Sequence, residues 1–523
     1  MENNSNKLVK PINLGNSRRM YVLGANKLKK EEVLEEITPE VKSDRYYERH
    51  VVRGKLENTG KGKPKSISII VTARNNGQYL YECINSCLNQ TVKCEVVYSD
   101  DFSTDDSVEV AKKFGDRIKL VTHKEHVGVV VARNNGFDAS TGEAVVFMDG
   151  DDVLPKNFIE KHLEVFDRTT PYVYCAAQAF GLFDVFWDVH AWGILDLWNR
   201  NFVNTNAMRW RDKFIEAGKW QETSIKTMWD FDLAIRMSRL GKPRKSDAVL
   251  LYRQHGDSVS FSREKSEQKL FAYTNTMRKN LAKVTIGVVY GGRSPKLFDK
   301  WMDSLLSDIK ILENKPELII YNNSTVQISQ KLKLYESNFS DIKIINHPDK
   351  IKFSNEIERR NKVCEMLANA YNMIMENATG DIIHLREDDV ITPEGGFEAM
   401  FEHITQGIKI KDAVALPYFN RHANYKRWVG GMFNMQNPRM TSDFIRLPEK
   451  DKPFLLDYTG TGCVLFWKHK CPDIFKPYWY GVQAHDWAYW YDHKVRGGEL
   501  WMLPQYVCKH YHNETDYIQP DNV

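Results

Sequence analysis

Three carboxylates crowd one short stretch of this chain, Asp149-Gly150-Asp151-Asp152, directly after the apolar run Ala144 to Met148. Neighbouring carboxylates raise one another's pKa unless a cation sits among them. Hard oxygen donors suit Mg²⁺ or Mn²⁺, ions that keep part of their water and grip substrate phosphates. Open α/β sheets bind ligands at the carboxyl ends of their strands, which is where this run stops. Taken alone, the cluster also reads as a solvated acidic turn capping a helix. It does not stand alone. Asp100-Asp101-Phe102-Ser103-Thr104-Asp105-Asp106 follows the run Glu95 to Ser99, and Arg386-Glu387-Asp388-Asp389 follows Asp381 to Leu385.

These clusters need strands to carry them, and the hydrophobic pattern supplies candidates. From Lys65 onward, short apolar runs alternate with amphipathic helical stretches, the texture of an α/β sheet. Ser66 to Val71, Glu95 to Ser99, Ile118 to Thr122 and Ala144 to Met148 read as strands, with helices over Tyr79 to Leu88 and Ser107 to Phe114. The Lys-, Glu- and Ser-rich stretch 258–283 reads as a helical connector. The pattern then restarts: strand Val284 to Tyr290, helix Lys296 to Leu306, strand Glu317 to Tyr321 ending at Asn322-Asn323, and strand Asp381 to Leu385. Strand, helix, polar loop and acidic cluster recur in one order, which predicts a diverged duplication of one domain type.

Composition narrows the class. With 523 residues, 42% hydrophobic and 12% aromatic, the chain is long enough for several cored domains and is neither disordered nor collagen-like. No run of eighteen apolar residues occurs, so no membrane span is expected, and the opening residues lack a secretory h-region. A cytosolic location is expected. The eight cysteines form no CxxC pair, so neither a disulfide framework nor a zinc site is predicted. Net charge is only +4, but residues 1–65 carry fifteen Lys/Arg against nine Asp/Glu. That segment reads as a basic arm, partly ordered, or as a lead-in with one docked strand at Arg19 to Leu23. It could steer an anionic partner or serve as a solvated lead-in.

In family order, Ser68-Ile69-Ile70-Val71-Thr72-Ala73-Arg74-Asn75-Asn76, the Asp100-Asp101-Phe102-Ser103-Thr104-Asp105 loop and Gly128 through Ala132-Arg133-Asn134 are followed by the acidic cluster. Trp229-Asp230-Phe231-Asp232-Leu233, then Tyr252-Arg253-Gln254-His255 with Ser258-Val259-Ser260, complete the series. Together these segments resemble the inverting nucleotide-sugar glycosyltransferases of family two, over about 66–260. Phe102 stands where that family has glycine, and Trp229 where it has glutamate.

The resemblance implies two tandem GT-A (Rossmann-like, nucleotide-sugar-binding) α/β domains, 66–257 and 284–523, behind the basic arm. It implies a UDP-sugar as donor, with Thr72, Ala73, Arg74, Asp100, Asp101 and Arg133 around the nucleotide. Asp149, Asp151 and His255 would hold Mn²⁺ or Mg²⁺, and Asp230 would be the general base. In the second half, Asn323 takes the nucleotide-loop place, Asp388 and His510 the metal place (His512 the runner-up) and Asp486 the base. There Arg386 replaces Asp149, so the first metal carboxylate is expected to be missing.

Two readings of the second half stay open: a second transferase acting in succession, or an acceptor-binding module with Trp428, Trp479, Trp487, Trp490 and Trp501 as sugar platforms. The acceptor is expected to be anionic or polyhydroxyl. A capsular or teichoic polymer and a hydroxymethylated base of phage-type DNA are the candidates.

Overall fold

Seven consecutive residues, Ile67–Ala73, are all buried, as a strand is when helices cover both faces of its sheet. This is β2 of a nine-stranded sheet. Its fellows are β1 (Met20–Val22), β3 (Glu95–Asp100), β4 (Lys119–Thr122), β5 (Ala144–Asp149), β6 (Tyr172–Gly181), β7 (Val185–Trp187), β8 (Met208–Trp210) and β9 (Arg244–Gln254). The order is β1-β7-β6-β8-β5-β2-β3-β4, with β9 on β6. Strands β4, β3, β2 and β5 run parallel, joined by crossover helices that include Gly77–Leu88 and Val129–Ala139. The computed structural model describes residues 20–22, 62–182, 184–189, 194–199, 201–223, 228–256, 267–292, 294–347, 354–407, 409–418, 428–433, 441–443, 451–479, 482–483, 485–511 and 517–518. Most of the basic arm, Ser258-Val259-Ser260 and His512 lie outside the described residues.

The chain divides into units 1–266 and 267–523. The division falls inside the expected connector, whose later part forms the helix Glu267–Leu281 of the second unit. That unit repeats the pattern with β10 (Val284–Tyr290), β11 (Glu317–Asn322), β12 (Asp341–Asn346) and β13 (Ile382–Arg386), in the order β12-β11-β10-β13 and all parallel. The strand Cys463–Trp467 then pairs antiparallel with β13, as β8 does with β5. Both units thus have the doubly wound α/β construction expected of GT-A domains. Among the described residues, no helix is long and apolar enough to cross a membrane.

A polar brace recurs at the start of both sheets and sets their common register. In the first unit, Ser68 Oγ donates to Glu95, Thr141 N donates to Glu95 Oε2 (2.7 Å), Gly142 N donates to Ser68 Oγ (2.7 Å), and Lys119 Nζ lies 2.6 Å from Glu95 Oε1. In the second, Thr285 Oγ1 donates to Glu317 (2.6 Å), Thr379 N to Glu317 Oε2 (2.9 Å) and Gly380 N to Thr285 Oγ1 (2.9 Å), with Lys343 Nζ at 2.5 Å from Glu317 Oε1. At the other end of the sheets, Asp101 N donates to the Ala73 carbonyl and Asn323 N to the Tyr290 carbonyl. Ser68 pairs with Val145 and Thr285 with Ile383. Four residues on from these anchors stand Asp149 and Glu387.

Burial favours the protonated Glu95 carboxyl, but Lys119, Ser68 and Thr141 outweigh it and hold the pKa at about 2, against 4.5 in the unfolded chain. A depressed carboxyl stabilises the fold fully above the unfolded value and loses that contribution as pH falls through the folded one. We expect Glu95→Gln to cost about 2 kcal/mol at neutral pH. The gap to wild type in thermal unfolding should close between about pH 4.5 and 2. A gap independent of pH would rule out an ionised Glu95 in the brace.

Candidate active site

The acidic cluster begins at the carboxyl end of β5, which lies between β8 and β2 in the sheet. Gly150 is required there by close approach: a Cβ would come within 2.4 Å of the Ala73 Cβ. Asp149 and Asp151 lie on either side of it. Asp151 Oδ2 is 3.0 Å from His255 Nε2, although 104 positions separate the two residues. The His255 ring packs on Tyr79, centroids 4.7 Å apart. Burial, then the charge of Asp149, pushes the Asp151 pKa up, while His255 opposes the rise. Asp151 and His255 are contacting donors of kinds that Mg²⁺ or Mn²⁺ takes, with Asp149 two residues away and held by Arg133.

Arg253, within the Tyr252-Arg253-Gln254-His255 segment but not assigned a role from sequence, fastens this cluster. Its backbone N donates to Asp152 Oδ1 (2.9 Å), its Nε to the Asp151 carbonyl (2.8 Å) and its Nη2 to Glu82 Oε2 (2.6 Å). Asp152 is therefore a buried support. Burial and the neighbouring Asp151 and Asp149 push its pKa well up.

Arg133 is 3% exposed and donates through Nη2 to Asp149 Oδ1 at 2.6 Å. Its guanidinium lies 4.8 Å from the Trp220 ring centroid. Among the described residues, Nε and Nη1 have no hydrogen-bond partner. Arg133 is thus a buried, fixed positive charge beside Asp149.

The nucleotide-loop candidates meet at the ends of β2 and β3. Asp101 Oδ1 accepts from Val127 N (2.8 Å) and Gly128 N (3.2 Å), and Oδ2 lies 3.0 Å from His126 Nδ1. Asp100 accepts from Tyr98 Oη (2.7 Å) and Ser103 N (2.9 Å). Thr72 and Ala73 are buried in β2, whereas Arg74 is exposed just beyond it. Asn75 N donates to Ser103 Oγ, and Thr104 N donates to Asn75 Oδ1. The two loops are thereby pinned to each other.

Asp230 occupies the first turn of the helix Trp229–Ser238. Its Oδ1 accepts from Phe231 N and its Oδ2 from Asn201 Nδ2, both at 2.9 Å. Burial pushes its pKa up, whereas the Phe231 hydrogen bond and the Arg133 charge pull it down. The result is a carboxylate more basic than usual.

In the second unit the brace register corrects the sequence alignment by one residue. Glu387, rather than Arg386, stands where Asp149 does, and Asp389 stands where Asp151 does. Ligand atoms of Glu387, Asp389 and His510 lie within 4.8 Å of one another, and His510 Nε2 is 3.5 Å from Asp389 Oδ2. The position of Asp149 is therefore occupied by a carboxylate, Glu387. Asp388 takes the place of Gly150 and is not part of this group: its Oδ2 accepts from Gly291 N at 2.9 Å. Arg386 is wholly buried and turned away, donating to Asp308 Oδ2 (2.8 Å), Ser304 Oγ (2.7 Å) and the Val390 carbonyl (3.0 Å). Motif order does not reveal this, because the strand Ala144–Asp149 runs one residue further than Ile382–Arg386 from the same register.

Two further equivalences follow. Asn134 brackets Trp220 by exchanging side-chain hydrogen bonds with its backbone N and O, and Asn372 brackets Phe475 in the same way. The preceding residues, Arg133 and Tyr371, are then counterparts, so a neutral phenol replaces the guanidinium. Asp486 lies in the first turn of the helix His485–Val495, with Oδ1 accepting from Trp487 N at 3.0 Å. Burial raises its pKa, and Glu387 adds to the rise while His485 opposes it. Asn323 keeps the backbone position of Asp101.

Of the five tryptophans considered as sugar platforms, Trp428 and Trp490 are buried. Trp487 and Trp501 are partly buried, and nothing is described of the Trp479 side chain.

Residues 68–228 match the Glycosyl transferase family 2 model. The chain is 35% identical over 98 residues to glycosyltransferase GlyG of Streptococcus pneumoniae, covering 18% of this chain and 33% of that protein. It is 25% identical over 342 residues to the hyaluronan synthase of Pasteurella multocida, covering 58% of this chain and 34% of that one. It thus spans about a third of the length of either relative. Among solved structures, S. aureus TarS 1-349 in complex with UDP-GlcNAc aligns with a TM-score of 0.33 and 14% identity, over 60% of this chain and 84% of that one.

Proposed function

From the match of residues 68–228 to the Glycosyl transferase family 2 model, we propose a metal-dependent inverting glycosyltransferase that uses a UDP-sugar and has two transfer sites. The observation that carries this reading is the repeated constellation. A carboxylate pair two residues apart, a histidine against the second carboxylate, and a helix-start aspartate occur in both units at equivalent strand ends.

Asp149, Asp151 and His255 would hold Mn²⁺ or Mg²⁺ in the first unit, and Glu387, Asp389 and His510 in the second. Such an ion supplies Lewis-acid stabilisation to a departing diphosphate. Arg133 adds a fixed positive charge beside Asp149. Asp230, made more basic by burial, removes the acceptor hydroxyl's proton. The acceptor oxygen then forms its bond to the anomeric carbon while the bond to the diphosphate oxygen breaks on the opposite face. The electron pair leaves with the nucleoside diphosphate, and the configuration inverts. Asp486 has the corresponding place in the second unit.

The likeness to a hyaluronan synthase runs over 342 residues, more than either unit contains. This supports both units taking part, and a polysaccharide acceptor rather than modified DNA.

The test is to incubate the protein with nucleotide sugars and saccharide acceptors, following nucleoside-diphosphate release and product mass. Asp486→Asn is expected to leave a singly extended product, and Asp230→Asn to block the other addition. If Asp486→Asn and Asp389→Asn both give the wild-type product pattern and rate, the second unit is a binding module.

A further inference from the structure

Phe102 has φ +59°, a left-handed conformation that costs an L-residue with a bulky side chain and that glycine adopts freely. Its ring is 41% exposed, whereas Asp100 and Asp101 before it are 2% and 4% exposed. Burial therefore offsets little of the strain. Strained side chains that nothing in the core explains cluster at ligand sites.

The second unit shows what the fold itself demands. There the counterpart of Phe102 is Ser324, which is not among the described non-glycine residues with positive φ. The counterpart of Asn75 (φ +57°) is Gly292 (φ +70°). A Cβ on Gly292 would come within 2.4 Å of the Ser324 Cβ. An asparagine at 75, with its Cβ, thus requires the chain at 102 to turn away, and the left-handed conformation does so. Glycine at 102 would meet that requirement without strain, so the loop geometry gives no reason for an aromatic ring.

We propose that Phe102 is a donor-binding residue of the first unit, presenting its ring to the nucleobase of a nucleoside diphosphate at the carboxyl ends of β2 and β3. This rests on the donor reading above. Four interactions hold the ring's backbone: Asp101 N to the Ala73 carbonyl, Ser103 N to Asp100 Oδ2, Asn75 N to Ser103 Oγ, and Thr104 N to Asn75 Oδ1. An aromatic face on a rigid loop suits a base, whose stacking tolerates modest change in ring type. The second unit, with Ser324, lacks this contact and relies on other groups.

The test is calorimetric titration of the full chain with UDP plus Mn²⁺, and separately with inorganic diphosphate plus Mn²⁺. To isolate the first unit, both titrations use an Asp389→Asn background. Phe102→Gly should weaken UDP binding about tenfold, leave diphosphate binding unchanged and leave the melting temperature equal or higher. Phe102→Tyr should restore UDP affinity. Unchanged UDP affinity in Phe102→Gly, or equal weakening of UDP and diphosphate, would overturn the base contact. If the background protein binds diphosphate but gains nothing from the uridine moiety, the contact is likewise refuted. If it binds neither ligand, the donor reading itself fails.

Discussion

Asp230→Asn is expected to lower kcat by a factor of order 10²–10⁴ while UDP affinity changes little. The carboxylate sits at the start of its helix with Oδ1 on Phe231 N and Oδ2 on Asn201 Nδ2. An amide of the same shape can keep most of that geometry but cannot accept a proton. The base acts only as the acceptor oxygen attacks, so the loss belongs to the transition state rather than to donor binding. Burial raises the pKa of this carboxyl, and a base must be deprotonated to work. Activity should therefore fall on the acid side at a pH above the ordinary aspartate range, and be retained as pH rises. Calorimetry with UDP and a pH profile of initial rates check both statements. Abolished UDP binding in Asp230→Asn would make the residue part of the donor site and place the base elsewhere.

The register of the second unit makes the other large prediction. In an Asp151→Asn background, which disables the first site, Asp389→Asn or Glu387→Gln should weaken Mn²⁺ binding by at least about 100-fold, because each removes a charged ligand. Asp388→Asn should leave Mn²⁺ affinity within about threefold, since Asp388 points its Oδ2 at Gly291 N and stands in the place of Gly150. Titration calorimetry with Mn²⁺ and UDP reads all three variants. A strong loss in Asp388→Asn with Asp389→Asn unaffected would restore the alignment by motif order and refute the alignment by strand register.

The strands that carry the site were legible because buried parallel strands are continuous apolar runs. Val284 to Tyr290 has the bounds that the hydrophobic pattern predicts, and the other central strands differ by a residue or two at their ends. The polar clusters were legible too, since carboxylates gathered at the end of an apolar run have few bland explanations. Hence the α/β class, the two-unit order, and Asp149, Asp151, Asp230, Asp486 and His255 could be proposed from residue types and spacing with the family resemblance.

Tertiary structure decided the contacts that motif order does not give. The resemblance implies that Asp151 and His255 act together, but only the fold puts the Arg133 guanidinium on Asp149, a pairing with no sequence periodicity. The one-residue shift that makes Glu387 and Asp389, not Arg386 and Asp388, the counterparts of Asp149 and Asp151 is set by the hydroxyl–glutamate–lysine brace. A strand slip of one residue sends every side chain to the opposite face, and motif order cannot detect it. The same holds for Phe102. Its departure from glycine is visible in the sequence, but its left-handed backbone and exposed ring are facts of the fold.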